Sequence, residues 1–227
     1  MPDTHPIVFL FDVDNTLLDN DRVVHDLGMY LEKQFGAERK ARYFAIFEEL
    51  RAEVGYADYL GALQRYRADR PTDHRILQVS SFLIDYPFAN RLFPGSLDAI
   101  EHCRQWGPTV VLSDGDVVFQ PRKVERSGIL DAVEQRALIY VHKEHMLADV
   151  EANFPAEHYV LVDDKVRILD AVKKQWGSRV TTVFPRQGHY AMDLAEVRKY
   201  SKPDVTVERI GEVLGLTREV LGGAGGF

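Results

Sequence analysis

What most limits the folds open to this chain is a rhythm of short apolar, β-branched runs separated by helical patterns. The runs are IVFLFDV at 7–13, TVVLS at 109–113, ALIYV at 137–141, YVLVD at 159–163 and RVTTVF at 179–184. Each has the length and residue types of a strand. They are nearly continuous in apolar character, so a sheet built from them must be covered on both faces. The segments between supply the cover. SLDAIEHCRQW, 96–106, sets Leu97, Ile100, Cys103 and Trp106 on one stripe between Pro94-Gly95 and Gly107-Pro108, and KVRILDAVKKQW, 165–176, stops at Gly177. Alternating strands and helices predict an α/β fold with a doubly wound parallel sheet.

One stretch interrupts the rhythm. Between about 20 and 90 there is no strand pattern, only helical ones, among them DRVVHDLGMYLEKQF, RYFAIFEELRAEV and HRILQVSSFLIDY. That is far more chain than a crossover needs. The expected organisation is a catalytic core of 1–19 and 91–227 carrying a small all-helical cap, 20–90, with Asp19 to Asp21 and Pro87 to Gly95 as hinges. Near the end, DVTVERIGEVLGL reads as an edge strand and a helix, and GGAGGF as a frayed tail.

Composition narrows the function classes. A formal net charge of −7 offers no general attraction to nucleic acid or to an anionic membrane, and neither partner is expected. The single cysteine, Cys103, forms no intramolecular disulfide and no cysteine-based zinc site, which fits a reducing cytoplasm. No export signal and no run of 18 apolar residues is evident, so the expected location is cytoplasmic.

The chemistry gathers where strands end. The first run closes in FDVDNTLLD, and because strand residues i and i+2 share a face, Asp12 and Asp14 point the same way as the chain leaves the sheet. Two anions so close persist near neutral pH only with a cation, a shared proton or good donors beside them. The second run ends at Ser113 in VVLSDGD, the fourth at Asp163-Asp164 in VLVDDK, and Lys143 follows the third in VHKEH. In an open α/β sheet such ends converge on one crevice.

These four elements, in this order, resemble the motifs of the haloacid dehalogenase-like superfamily of phosphohydrolases: D-x-D-x-T, a Ser or Thr ending the second strand, a Lys, and an acidic pair ending the fourth. The resemblance covers essentially 7 to 185 and implies a Rossmann-like core with the cap inserted after the first motif. It implies that Asp12 attacks phosphorus to form an aspartyl-phosphate. Asp14 would serve as general acid and base, and would offer its backbone carbonyl to a metal. Ser113 and Lys143 would contact the phosphoryl oxygens beside Asp12 and Asp114. Asp12, Asp14, Asp163 and Asp164 would hold Mg²⁺, a hard cation that takes oxygen ligands and offsets the charge of a phosphoester. Asn15 would tolerate a left-handed turn and Thr16 would hold it closed. The sequence departs from the pattern at Ile168, where many relatives carry Asp or Asn, which leaves open whether Asp163 or Asp164 touches the metal.

The expected activity is Mg²⁺-dependent hydrolysis of a small phosphorylated metabolite by a monomer or homodimer. A haloacid dehalogenase or a phosphomutase on the same fold is an alternative, and so, from a different class, is a phospho-acceptor signalling domain. Asp14 and Thr16 weigh against the dehalogenase, whose chemistry needs no metal and no second acid. Among the cap arginines, Arg22, Arg39, Arg42, Arg51, Arg65, Arg67, Arg70 and Arg75 are interleaved with acids as on a solvated face. Arg186 and His189 read as loop residues that could line the crevice, and His102 as structural.

Overall fold

The computed structural model describes residues 4–69 and 71–222. Six strands, β1 (His5–Phe11), β2 (Thr109–Asp114), β3 (Ala137–Tyr140), β4 (Ala156–Val162), β5 (Val180–Pro185) and β6 (Val205–Val207), form one parallel sheet in the order β3-β2-β1-β4-β5-β6. The two-residue period of the strand sorts β1 between two cores. Ile7, Phe9 and Phe11 face one hydrophobic cluster, and Val8 and Leu10 the other. This double burial is why the strands are apolar throughout. The strand order reverses between β1 and β4, and the register sets Phe11 beside Val162. The residues immediately after both strands therefore open at the switch point, where such sheets bind ligands.

Four consecutive helices, α1 (Asn20–Phe35), α2 (Ala37–Val54), α3 (Tyr59–Ala68) and α4 (Ile76–Ile84), occupy most of the interval between β1 and β2. Asp19 caps α1 by accepting from the Arg22 amide at 2.9 Å, and Val23, Leu27 and Leu31 form its buried stripe. The helices do not have a hydrophobic core to themselves. Their buried residues belong to the cluster under one face of the sheet, joined to it through the rings of Tyr59, Phe119 and Phe88, with centroids 5.3 and 5.7 Å apart. The two connecting segments run side by side: Leu18 bridges to Leu92, the Asp19 amide donates to the Arg91 carbonyl at 2.7 Å, and the Phe93 amide to the Leu17 carbonyl at 2.9 Å.

Further helices follow: α5 (Ser96–Arg104), α6 (Phe119–Arg126), α7 (Ile129–Ala132), α8 (Leu147–Asn153), α9 (Val166–Trp176) and the short α10 (Gly188–Met192), α11 (Leu194–Val197) and α12 (Arg218–Leu221). The region after β6 differs from expectation, since Ile210–Gly215 is a 3-10 turn and not an α-helix. Its buried residues, Ile210 and Val213, are three apart, a spacing the tighter helix also satisfies. The GGAGGF tail lies outside the described residues beyond Gly222. Among the described residues no helix is long and apolar enough to cross a membrane.

Candidate active site

After β1 the chain folds back sharply through DVDNTLL. The Val13 carbonyl accepts from the amides of Leu17 and Leu18 at 2.9 and 3.0 Å, and Asn15 adopts the left-handed conformation, φ 61°. The Asn15 side chain then captures the start of α1, accepting from the amides of Asn20 and Asp21 at 3.0 and 3.1 Å. Gly188, φ 76°, closes over this turn. A Cβ there would lie 2.4 Å from that of Asn15, so the loop after β5 reaches the turn only with glycine at that position.

The turn delivers Asp12 into a buried charged cluster. Its Oδ1 accepts from Lys143 Nζ at 2.5 Å and its Oδ2 from the Thr16 hydroxyl at 3.0 Å, so both carboxylate oxygens are fixed. Thr16 Oγ1 in turn accepts from the Asp164 amide at 3.0 Å, tying the first and fourth strand ends together. Lys143, fully buried on the 3-10 turn after β3, also lies 2.6 Å from Asp163 Oδ2 and donates to the Leu112 carbonyl at 3.1 Å. Burial alone would push its ammonium pKa down, but the carboxylates of Asp12, Asp163 and Asp114 outweigh that and hold it above the ordinary lysine range.

Asp164 is the exception in this cluster. Both of its side-chain oxygens are buried and neither has a hydrogen-bond partner. Ligand atoms of Asp12, Asp163 and Asp164 lie within 4.8 Å of one another. At that separation two carboxylates repel by roughly 3 kcal/mol at an effective dielectric of about 20. Burial raises the pKa of Asp163 to about 6 and that of Asp164 well above the carboxylate range. A partnerless buried carboxylate costs folding free energy unless a cation joins it. Three carboxylates with two orphaned oxygens are a donor set that fits a divalent, oxygen-seeking metal. Asp163 is engaged by Lys143 and by the Lys165 amide, at 2.8 Å, so the free oxygens are those of Asp164. Ile168 is buried in the second hydrophobic cluster.

Asp14 stands outside this trio. Its Oδ1 accepts from Lys123 Nζ at 2.6 Å, and Lys123, fully buried on α6, also donates to Asn20 Oδ1 at 3.0 Å. Sequence reasoning missed Lys123. The available signal was a charged residue at helical spacing on the stripe of Phe119, Gln120 and Val124, where periodicity calls for an apolar side chain. The same stripe supplies Gln120, whose Nε2 donates to the Ser113 hydroxyl at 2.9 Å. Asp114 accepts from the Lys143 amide at 2.7 Å, and burial raises its pKa. Asp12, Ser113, Asp114, Lys143, Asp163 and Asp164 thus converge at the carboxyl edge of the sheet, with Asp14 beside them.

Above the edge lies a cavity of about 600 Å³ between the four-helix segment and the sheet, with Asp14, Asp114 and Lys165 on its floor. His189 and Tyr190 reach across to the helical side: His189 Nδ1 pairs with Asp21, and the Arg51 guanidinium donates to the Tyr190 hydroxyl. Of the arginines singled out from the sequence, Arg51 lines the cavity. Arg22, Arg39, Arg42, Arg65 and Arg75 pair with acids on the helical segment, and Arg70 lies outside the described residues. Arg186 pairs with Glu208, and His102 packs on Trp106 and meets the Leu216 carbonyl.

Fold and site together define a Rossmann-like α/β protein with an acidic centre at its topological switch point. The family profile of haloacid dehalogenase-like hydrolases matches residues 8–181, and the chain belongs to that family. A solved Burkholderia xenovorans protein described as a haloacid dehalogenase-like hydrolase is 63% identical, with TM-score 0.90 over 94% of this chain and 99% of that one. At the level of fold alone, the L-2-haloacid dehalogenase of Xanthobacter autotrophicus with chloropropionic acid covalently bound is similar at TM-score 0.60 and 17% identity, over 95% and 99% of the two chains. A Bacillus subtilis HAD-hydrolase bound to magnesium is similar at TM-score 0.61 and 16% identity, over 93% and 98%. No curated protein sequence matches the chain.

Proposed function

We propose that the protein is a Mg²⁺-dependent phosphatase that hydrolyses a small phosphomonoester through an aspartyl-phosphate on Asp12. The observation that carries this reading is Asp164, a buried carboxylate with two unpartnered oxygens next to the would-be nucleophile. Displacement of halide from a carbon needs no cation to offset charge at the reacting atom, whereas attack on an anionic phosphoryl group does. Asp12, Asp163 and Asp164, with the Asp14 carbonyl, would hold the ion. Bound there, Mg²⁺ supplies the charge that lets an anionic nucleophile approach an anionic substrate.

This chain's residues divide the remaining work. Lys143 and Thr16 fix the Asp12 carboxylate, one oxygen of which forms a bond to phosphorus as the bond to the ester oxygen breaks. Asp14 gives a proton to the departing alkoxide, then takes one from the water that attacks the phosphorus of the acyl phosphate, which frees Asp12 and inorganic phosphate. Lys123 engages Oδ1 of Asp14 alone and anchors that side chain to Asn20 at the start of α1. The Ser113 hydroxyl, oriented by Gln120, donates to a phosphoryl oxygen. The magnesium-bound and the dehalogenase relatives share this fold equally, so the discriminating test is chemical. Phosphate release from a panel of phosphomonoesters in Mg²⁺, abolished by a chelator, is the expected result. Chloride release from 2-chloropropionate in the presence of that chelator would contradict it.

The acidic cluster also predicts a stability effect. At a Mg²⁺ concentration about a hundredfold above its Kd, binding adds about 2.7 kcal/mol to the folded state. That is a rise in Tm of roughly 5–10 °C for a protein of this size. Asp164→Asn is expected to melt close to the wild type in chelator, because burial already holds the Asp164 carboxyl uncharged there, and to lose most of the Mg²⁺ response, because the amide offers the ion no charge. Identical melting curves for both proteins with and without the ion would contradict the metal assignment.

A further inference from the structure

We infer that the leaving group carries an aromatic or heteroaromatic ring, which the cavity grips between α2, α3 and α6; this rests on the phosphatase reading of the same site. The grounds lie in how the cavity's two sides differ. Its floor is polar and belongs to the reaction. Its helical side carries, among polar residues such as Asn20 and Asp21, a continuous run of rings that starts at the acid/base. Lys123 Nζ, bonded to Asp14, sits 5.1 Å from the Phe119 ring centroid; Phe119 meets Tyr59 at 5.3 Å, and Tyr59 stacks on Phe47 at 4.7 Å and 24°. All three rings line the cavity, as does the half-buried ring of Tyr56 on the loop after α2. A group attached to the oxygen that Asp14 protonates leaves along this wall.

The wall also carries charge. On α2, Phe44, Phe47, Glu48 and Arg51 follow helical spacing and all face the cavity, so one stripe passes from rings to charges over two turns. Arg51 is held across the cavity by Tyr190, whose ring lies 5.1 Å from Nζ of Lys165 on the floor. Rings beside the acid/base, with charges flanking them, suit a planar apolar body with polar substituents on its edge. A polyhydroxylated chain would instead set hydroxyls against carbon, and each one buried without a partner is unfavourable. Size agrees: about 600 Å³ lies within the range that encloses ligands of drug-like dimensions, and a two- or three-carbon leaving group would leave most of it to water.

The test compares 1-naphthylmethyl, benzyl and ethyl phosphate, which all release a primary alcohol, so that recognition and not leaving-group chemistry separates them. In Mg²⁺, kcat/KM is expected to rise from ethyl to naphthylmethyl by on the order of 10- to 100-fold, the effect of burying one or two rings. Tyr56→Ala, on a loop, and Phe47→Leu, which keeps apolar bulk, are each expected to reduce that ratio several-fold. The matching phosphonates, which cannot be hydrolysed, give Kd values free of turnover and should show the same order. Equal Kd values across the phosphonates, with phosphate still released from the esters, would overturn ring recognition and leave the phosphatase reading intact. A preference in Kd with no phosphate released from any ester would overturn the phosphatase reading and leave ring recognition standing.

Discussion

Asp12→Asn is expected to fold like the wild type and to lose at least about 10⁴-fold in phosphate release, the scale set by removing a covalent nucleophile. The amide keeps the shape of the carboxylate, so Thr16 and Lys143 retain neighbours at the same positions. It loses the charge that makes the oxygen nucleophilic and one negative charge from a crowded cluster. The loss of charge relieves Asp163 and Asp164, while the loss of an ionic partner is cushioned because Lys143 still meets Asp163 at 2.6 Å. The melting temperature should therefore move by only a few degrees while activity disappears. Steady-state phosphate release and circular dichroism on one preparation check both halves. Wild-type turnover in this variant would remove Asp12 from the role assigned to it.

Lys143→Ala is expected to damage both stability and activity. The Nζ group is fully buried between Asp12 and Asp163 and donates to the Leu112 carbonyl. Removing one partner of a buried ion pair typically costs 3–5 kcal/mol, because the charges left behind are uncompensated. In a protein of this size that corresponds to a Tm lower by roughly 6–20 °C. The carboxylates can recover part of this by taking up protons, and a protonated Asp12 no longer attacks phosphorus. A loss of at least about 10²-fold in kcat/KM is expected on that ground and from the missing charge beside the phosphoryl group. Denaturant midpoints and kinetics measure the two effects separately. A variant with wild-type turnover would mean that another cation, with Lys165 next in line, performs the task.

The contrast between what the residues disclosed and what they withheld follows physical lines. Strand positions were legible because burial on both faces writes itself into unbroken apolar runs, and the ends of those runs named Asp12, Ser113 and Asp163 directly. The run of helices after β1 was legible because helical patterns followed one another with no strand pattern between them. Its attachment was not. The continuity of its hydrophobic cluster with the sheet runs through Tyr59, Phe88 and Phe119, residues far apart in sequence that meet only in the folded chain. Lys123 was hidden for a related reason. A lysine in an apolar stripe looks like a surface residue until the carboxylate that neutralises it, 109 positions away, is placed beside it. Gln187 shows the same limit: its Nε2 donates to the Thr16 carbonyl at 2.6 Å, holding the turn after β1 from the loop after β5.

The measurement that bears most directly on the account is isolation of the covalent intermediate. Wild-type protein mixed with a labelled phosphomonoester in Mg²⁺ and quenched in acid within one turnover should retain an acid-stable, base-labile phosphoryl group. Peptide mapping should place it on Asp12, and none should form in chelator. Label on another residue, or full turnover with no phosphoprotein detectable at any quench time, would contradict it.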